Sequence, residues 1–383
     1  GGGVEHERVV IVGGGPAGLA TAACLTKRGI DPLILDATDE VGASWANRYQ
    51  RLHLHTPRIQ SQLPGMRIPK TMGRWVAKDD YARYLRGYAA AHRLRISHGV
   101  TVTKVDRRPD GRHAIESSSG PVDTDVVVIA TGYNQTPLIP EWSGLDAYTG
   151  DFVHASQYRT AADHRGLDVL VVGSGNTGSE ICADLCEQGA ARVRLSVRTP
   201  PNVIPRELGP IPTTLLGIAN DFLPAPVADP LNSMIQKVSI GDLSTHGLPP
   251  APGGVVEQMR KTDVVPTIDV GMVEQLQAGR IEIVSAVTRF AEDRVMLEDG
   301  SEIKADLVIA ATGYERSIDG LVGHLGVLEN GRPTVRGGET HRNDPGMFFV
   351  GLSNPMKGLL FQINLDARAA ARAISRMDAQ PNA

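Results

Sequence analysis

The chain of 383 residues is poor in aromatic side chains, which make up 4% of it, and it has only three cysteines. Three scattered cysteines do not make a disulfide framework, so a reducing compartment, the cytoplasm, is the expectation. They include no C-x-x-C pair, which argues against a dithiol reductase. Cys182 and Cys186 stand at i and i+4 and share a helical stripe with Gly178, Ile181 and Leu185, so they read as packing, and no metal site is expected. No stretch reaches the ~18 uninterrupted apolar residues that a bilayer span requires, so no integral membrane segment is expected. Nor is there a long block of Lys or Arg. The 39 basic and 43 acidic residues leave a net charge of −4, the wrong sign for a nucleic-acid partner. Gly1-Gly2-Gly3 reads as a cloning remnant, with no basic-then-apolar leader behind it.

Glycine, by contrast, is plentiful, with 42 residues, and its placing is informative. Arg8-Val9-Val10-Ile11-Val12 reads as a buried strand and runs into Gly13-Gly14-Gly15-Pro16-Ala17-Gly18, a G-x-G-x-x-G turn that opens a helix. Gly13 permits the tight turn, Gly15 lets backbone approach a pyrophosphate, and Gly18 lets the helix lie close to the strand. A second strand, Pro32-Leu33-Ile34-Leu35, ends in Asp36, followed by Ala37, where a carboxylate can accept from ribose hydroxyls. The plan then recurs. Asp168-Val169-Leu170-Val171-Val172 runs into Gly173-Ser174-Gly175-Asn176-Thr177-Gly178, and the next strand, Arg192 to Val197, ends not in an acid but in Arg198. A carboxylate there would repel a 2′-phosphate, whereas a guanidinium pairs with it bidentately. The first site therefore suits FAD or NAD and the second NADPH.

A further echo bears on the architecture. Val126-Val127-Val128-Ile129-Ala130-Thr131-Gly132-Tyr133 returns as Leu307-Val308-Ile309-Ala310-Ala311-Thr312-Gly313-Tyr314, each after a hairpin-like polar stretch. Thr131, Gly132, Thr312 and Gly313 thereby join the candidate cofactor-binding residues. The simplest threading gives an α/β fold of two three-layer, Rossmann-like dinucleotide-binding domains, with the NADPH domain inserted into the FAD domain. The expected boundaries are 1–160 and 305–383 for the FAD part and 161–304 for the NADPH part. Prolines should break the stretch near 200–262 into short pieces. Its apolar residues suit a pocket lid or a homodimer contact better than a membrane face, which would want basic residues.

Two runs carry a family resemblance. Tyr148-Thr149-Gly150-Asp151-Phe152-Val153-His154-Ala155-Ser156-Gln157-Tyr158 resembles the F-x-G-x-x-x-H-x-x-x-(Y/F) signature of flavin-containing monooxygenases, with Tyr148 in place of Phe. Gly42 to Pro57, which holds Trp45, Asn47, Arg48 and Leu52-His53-Leu54-His55, is similar to the G-x-x-W-x-x-R/N…L-x-L-H-x-P run of the plant YUCCA-type branch. Val203 to Glu207, Thr267 to Gly271 and Gly358 to Ala367 resemble that branch as well. The departures are Tyr148, Asp36 where Glu is usual, and Leu360-Phe361-Gln362 on the substrate side.

The resemblance implies an enzyme that uses FAD, NADPH and O₂ and forms a C4a-(hydro)peroxyflavin. That species oxygenates a small molecule, either a soft N or S nucleophile or a 2-oxo acid by oxidative decarboxylation. It implies Asn47 as the catalytic amide beside flavin and nicotinamide, Ser44, Trp45 and His55 as cofactor-binding, and His154, Arg206 and Phe361 on the substrate or interdomain side. For Arg206 three roles stay open: a substrate carboxylate, a cofactor phosphate or an ion pair. The competing readings are a Baeyer–Villiger oxygenase of a ketone, an NADPH:acceptor flavin reductase and a flavin-binding regulatory module. The last has no use for a second nucleotide turn.

Overall fold

The computed structural model describes residues 4–132, 136–262, 264–353 and 358–378; Gly1 to Gly3 and Tyr133 lie outside them. The chain opens with β1 (Glu5–Val12), whose last four residues are buried. An apolar run of this kind has both faces covered and suits a central parallel strand. α1 (Pro16–Lys27) starts with Pro16 in its first turn, where a missing N–H costs nothing. β2 (Leu33–Leu35) lies parallel to β1. The short α2 (Ala43–Ala46) and α3 (Arg58–Ser61) and the longer α4 (Lys78–Ala91) lead to β3 (Arg95–Ser97). An antiparallel pair, β4 (Val102–Arg107) and β5 (His113–Ser117), then feeds β6 (Val122–Ile129), which returns parallel to β1.

The next stretch repeats the plan. β7 (Asp151–His154), β8 (Asp168–Val172), α5 (Asn176–Glu187) and β9 (Arg192–Ser196) are followed by β10 (Val203–Pro205) and a small hairpin of β11 (Glu207–Leu208) and β12 (Ile211–Pro212). Three helices come next, α6 (Thr213–Asn220), α7 (Ala225–Ser239) and α8 (Val255–Thr262). After them β13 (Thr267–Asp269) pairs parallel with β10, and α9 (Met272–Gln277) leads to β14 (Ile281–Val284). An antiparallel trio, β15 (Val287–Phe290), β16 (Val295–Leu297) and β17 (Glu302–Ile303), precedes β18 (Leu307–Ala310). The chain returns through α10 (Asp319–Val322) and a hairpin of β19 (Leu328–Glu329) and β20 (Arg332–Pro333) to β21 (Met347–Phe349), which lies beside β6. It ends in α11 (Leu359–Asp378), packed on α1.

One sheet has the order β3-β2-β1-β6-β5-β4 with β21 against β6, and the other has β14-β9-β8-β18-β7. Both are Rossmann-like α/β arrangements with a short antiparallel appendage. Contacts divide the chain into two compact units. The first holds Gly1–Asn47, Thr56–Thr136 and Glu315–Ala383; the second holds Arg48–His55 and Pro137–Tyr314. These divisions differ from those expected at 160/161 and 304/305. β7 hydrogen-bonds along β18, and β18 along β8, so both belong to the second sheet. Periodicity identifies such strands but does not say which neighbour they pair with.

The proline expectation for 200–262 also needs correcting. α7 runs 15 residues with Pro226 in its first turn and Pro230 inside it. Pro226 costs no bond so close to the start, and Pro230 forfeits a single intrahelical bond one turn later. The core of the first unit packs Val10, Val12, Leu35, Val127, Ile129 and Phe349 around its central strands. In the second unit Tyr148, the departure from the signature, sets its ring edge against Phe290 at 5.0 Å, in a cluster with Trp142 and Phe152.

Candidate functional site

In the first unit the glycines of the turn are fixed by clearance. Gly13 has φ 115°, and a Cβ there would lie 2.3 Å from the carbonyl oxygen of Ala130. A Cβ on Gly18 would lie 1.9 Å from the carbonyl oxygen of Gly13. At Gly15 a Cβ would meet no atom within 4 Å. The structure therefore needs no glycine at 15, but a ligand pressed against the backbone there does. Pro16 and Ala17 begin α1, and no side chain caps its N-terminus, which leaves its first N–H groups to an anion.

Asp36 is buried. It accepts from Thr38 Oγ1 at 2.7 Å, has His98 Nδ1 at 3.1 Å, and its carboxyl fills the space where Gly14 would carry a Cβ. Ala37 beside it is exposed. Thr131 and Gly132 follow β6 at the far side of Gly13, with Thr131 Oγ1 donating to the Gly132 carbonyl. Trp45 packs edge-on to Tyr81 at 5.0 Å, Ser44 is exposed, and Phe361 is half-buried in the first turn of α11. Asn47 closes α2 through its backbone N–H, bonded to the Ala43 carbonyl. Its side chain is exposed and has no hydrogen bond among the described residues.

The turn of the second unit has the same dimensions. Gly173 has φ 114°, with the Ala311 carbonyl oxygen 2.3 Å from a built Cβ. Gly178 meets the Gly173 carbonyl at 1.9 Å, and Gly175 is open. Around it the polar groups differ. The Ser174 carbonyl accepts from Ser179 Oγ and Thr267 Oγ1. The Asn176 amide holds β13, accepting from Ile268 N–H at 2.7 Å and donating to the Pro266 carbonyl. Asn176 thus fastens β13 to the turn, while Thr177 is half-buried in the first helical turn. Arg198, past the end of β9, is exposed and without an ion pair among the described residues.

Gly313 and Thr312 tie the end of β18 to its neighbours. Thr312 Oγ1 donates to the Leu138 carbonyl, and the Gly313 carbonyl accepts from the Leu138 N–H and lies 3.0 Å from His154 Nε2. His154 Nδ1 engages Ser156, so both ring nitrogens are occupied inside this unit. Burial lowers the His154 pKa and keeps the ring neutral. This histidine is a strut between the ends of β7 and β18.

Sequence reasoning missed one assembly. Glu180, buried on α5, accepts from Tyr49 Oη at 2.9 Å and from Arg51 at 3.0 Å, and Arg51 also reaches Glu187 and the Val270 carbonyl. Burial raises the Glu180 pKa, opposed by Tyr49 and Arg51. The available signal was the i, i+2 spacing of Tyr49 and Arg51, which puts both on one side of an extended segment. At the end of that segment His55 has a buried Nδ1 with no hydrogen-bond partner. Burial, and then the positive charge of Arg206, bring its pKa down to about 4. Among the described residues no group of acidic, histidine or cysteine side chains is placed to hold a metal. Burial pushes the Cys24, Cys182 and Cys186 thiols up, Cys186 to about 11, so none is a ready thiolate.

Two matched cradles, one followed by a buried acid and the other by an exposed arginine, define an oxidoreductase with two dinucleotide sites. The family described as pyridine nucleotide-disulphide oxidoreductase matches residues 10–206. Rice (Oryza sativa subsp. japonica) indole-3-pyruvate monooxygenase YUCCA1 is 32% identical over 357 residues, covering 92% of this chain and 87% of that one. Arabidopsis thaliana probable indole-3-pyruvate monooxygenase YUCCA4 is 32% identical over 350 residues, covering 90% and 84%. Among solved structures, a flavin-containing monooxygenase from Stenotrophomonas maltophilia has a TM-score of 0.71 at 22% identity, covering 98% of this chain and all of that one. An NADP-bound steroid monooxygenase has 0.76 at 20% identity, covering 98% and 86%. The chain belongs to the FAD- and NADPH-dependent flavin monooxygenases, near their YUCCA-type branch. Among the described residues no helix is long and apolar enough to cross a membrane.

Proposed function

We propose that this monooxygenase acts on a small 2-oxo acid: 2-oxo acid + O₂ + NADPH + H⁺ gives the carboxylic acid one carbon shorter, CO₂, NADP⁺ and water. The two-electron and dioxygen chemistry comes from bound flavin, with NADPH as the hydride source. The observation that carries this reading is the similarity over most of the chain to relatives named indole-3-pyruvate monooxygenase, a 2-oxo acid activity. The open approach at Gly15 and at Gly175, each against an uncapped helix N-terminus, supports one dinucleotide in each unit.

In this reading the first unit binds FAD along Gly13 to Gly18, with Asp36 toward the ribose and Ser44, Trp45, Thr131 and Gly132 lining the same site. The second binds NADPH along Gly173 to Thr177, and Arg198 pairs with the 2′-phosphate. Asn47 supplies a neutral amide, able to donate without acting as an acid, at the reacting edge of the flavin. Its unengaged side chain supports that role.

The test uses ¹⁸O₂, NADPH and phenylpyruvate with the FAD-loaded enzyme. The expected result is one CO₂ per NADPH and one ¹⁸O in the phenylacetate formed. An ester from a simple ketone, an oxidised amine or sulfide, or NADPH use without any oxygenated product would each replace this reading with another.

A further inference from the structure

We propose that His55 and Arg206 together receive the carboxylate of the substrate, the guanidinium supplying the charge and the imidazole an N–H. This rests on the 2-oxo acid reading and names the groups that would select for it.

Three observations within the second unit lead there. First, His55 Nδ1 is sealed from water and has no hydrogen-bond partner. A buried polar nitrogen left unpaired is costly, and such atoms in native proteins call for a reason. Second, the ring lies within the field of Arg206, which helps keep it neutral. Two cations side by side would repel; an anion placed with them satisfies both, and a neutral imidazole still has an N–H to give. Third, both residues sit on supports fastened to the same helix and turn. Residues 48–55 are held on α5 by Tyr49 and Arg51 through Glu180, with Arg51 extended to Glu187 and to the Val270 carbonyl at 2.6 Å. Arg206 directly follows β10, which pairs with β13, and β13 is held to the glycine turn by Asn176 and Thr267. A charged receptor for a planar carboxylate needs this rigidity, since recognition depends on bidentate geometry.

A carboxylate is favoured over a cofactor phosphate because the phosphates have other receivers in this unit. The turn is open at Gly175, and Arg198 is exposed past β9. Glu180 would then be a positioning residue, acting through the segment that ends in His55.

The experiment is calorimetric titration of the FAD-loaded enzyme with phenylpyruvate, with phenylacetone, which has a methyl group where the acid has its carboxylate, and with 2′,5′-ADP. Arg206→Gln should weaken phenylpyruvate roughly ten- to a hundredfold and leave phenylacetone and 2′,5′-ADP within about twofold. Arg206→Lys should recover part of the loss, because it restores the charge without the fork. In enzyme carrying ¹⁵N-labelled histidine, the ring signals assigned to His55 by their loss in His55→Asn should shift with phenylpyruvate and not with phenylacetone. That signal tests the idea in the unmutated protein, whatever the variants do to folding. Loss of 2′,5′-ADP rather than phenylpyruvate in Arg206→Gln would make this a phosphate site and overturn the proposal. Phenylpyruvate binding that both variants retain would overturn it alone, leaving the 2-oxo acid reading standing. Absence of 2-oxo acid binding by the unmutated enzyme would overturn both.

Discussion

The two units run the same turn to the same tolerances and then diverge. Gly13 and Gly173 share a φ near 115°, and in both units a built Cβ at the first and sixth turn positions collides with backbone while the third is open. Identical clearance means that the backbone plan, strand against helix with a phosphate-sized gap, is common to both. What differs lies one strand away. In the first unit Asp36 is buried against Gly14 and tied to Thr38 and His98, a rigid acceptor. In the second, Arg198 stands exposed and uncommitted, a charge waiting for one of opposite sign. Shared geometry thus sets that a dinucleotide binds, and the residue after the second strand sets which one.

The strongest way to break this comparison is to fill each gap in turn. Gly15 and Gly175 have extended backbone that any residue adopts, and neither would push a Cβ into protein. Gly15→Val should therefore fold and be isolated without flavin, read as loss of the visible absorption band. Gly175→Val should stay yellow but fail to be bleached by NADPH. Colour lost from the second variant and kept by the first would reverse the two sites.

Asn47→Asp should come next in size. It should keep flavin and accept hydride at near-normal rates, yet lose coupling, releasing peroxide in place of oxygenated product. Removal of one preorganised donor typically costs about 2.7–4 kcal/mol of transition-state stabilisation. Near-normal product per NADPH would remove Asn47 from the chemistry and leave it as the cap of α2.

Arg198→Ala should weaken NADPH by about 1.5–3 kcal/mol, or roughly ten- to 150-fold, and NADH very little. An equal loss for both nucleotides would mean that the arginine does not distinguish the two units.

The smallest effect concerns pH. The His55 pKa lies at about 4 in the folded chain against 6.5 for the ordinary side chain. Between those values the unfolded chain binds a proton that the folded one refuses, so stability falls as pH falls through that window, by up to about 1.4 kcal/mol per unit. Thermal melts of His55→Gln from pH 7 to 4 should show a shallower decline than the unmutated protein. Parallel curves would show that His55 is not held neutral.

Much of this was legible in the chain. The two turns, Asp36, the arginine after β9 and the repeated strand before each Thr-Gly pair are local patterns, because a strand, a tight turn and a helix start are each written in neighbouring residues. The domain boundaries were less so. β7 reads as a strand near 151, but only its pairing with β18 assigns it to the second sheet. His154 was similarly ambiguous until its two partners, Ser156 and the Gly313 carbonyl, were in view. Pro230 misled because a proline early in a helix removes one bond, which packing of the remaining turns outweighs.

By itself the sequence determined the class of fold, the number of dinucleotide cradles and the charge that follows each, since all three are short-range matters of glycine spacing and strand ends. Only the tertiary structure decided where residues 48–55 belong. Tyr49 and Arg51 find Glu180 about 130 positions away, a contact that no local period announces. The same folding brings Arg206 within electrostatic reach of His55. Burial and long-range pairing are properties of the packed chain, and they convert an ordinary histidine into a neutral one with a nitrogen left unpaired.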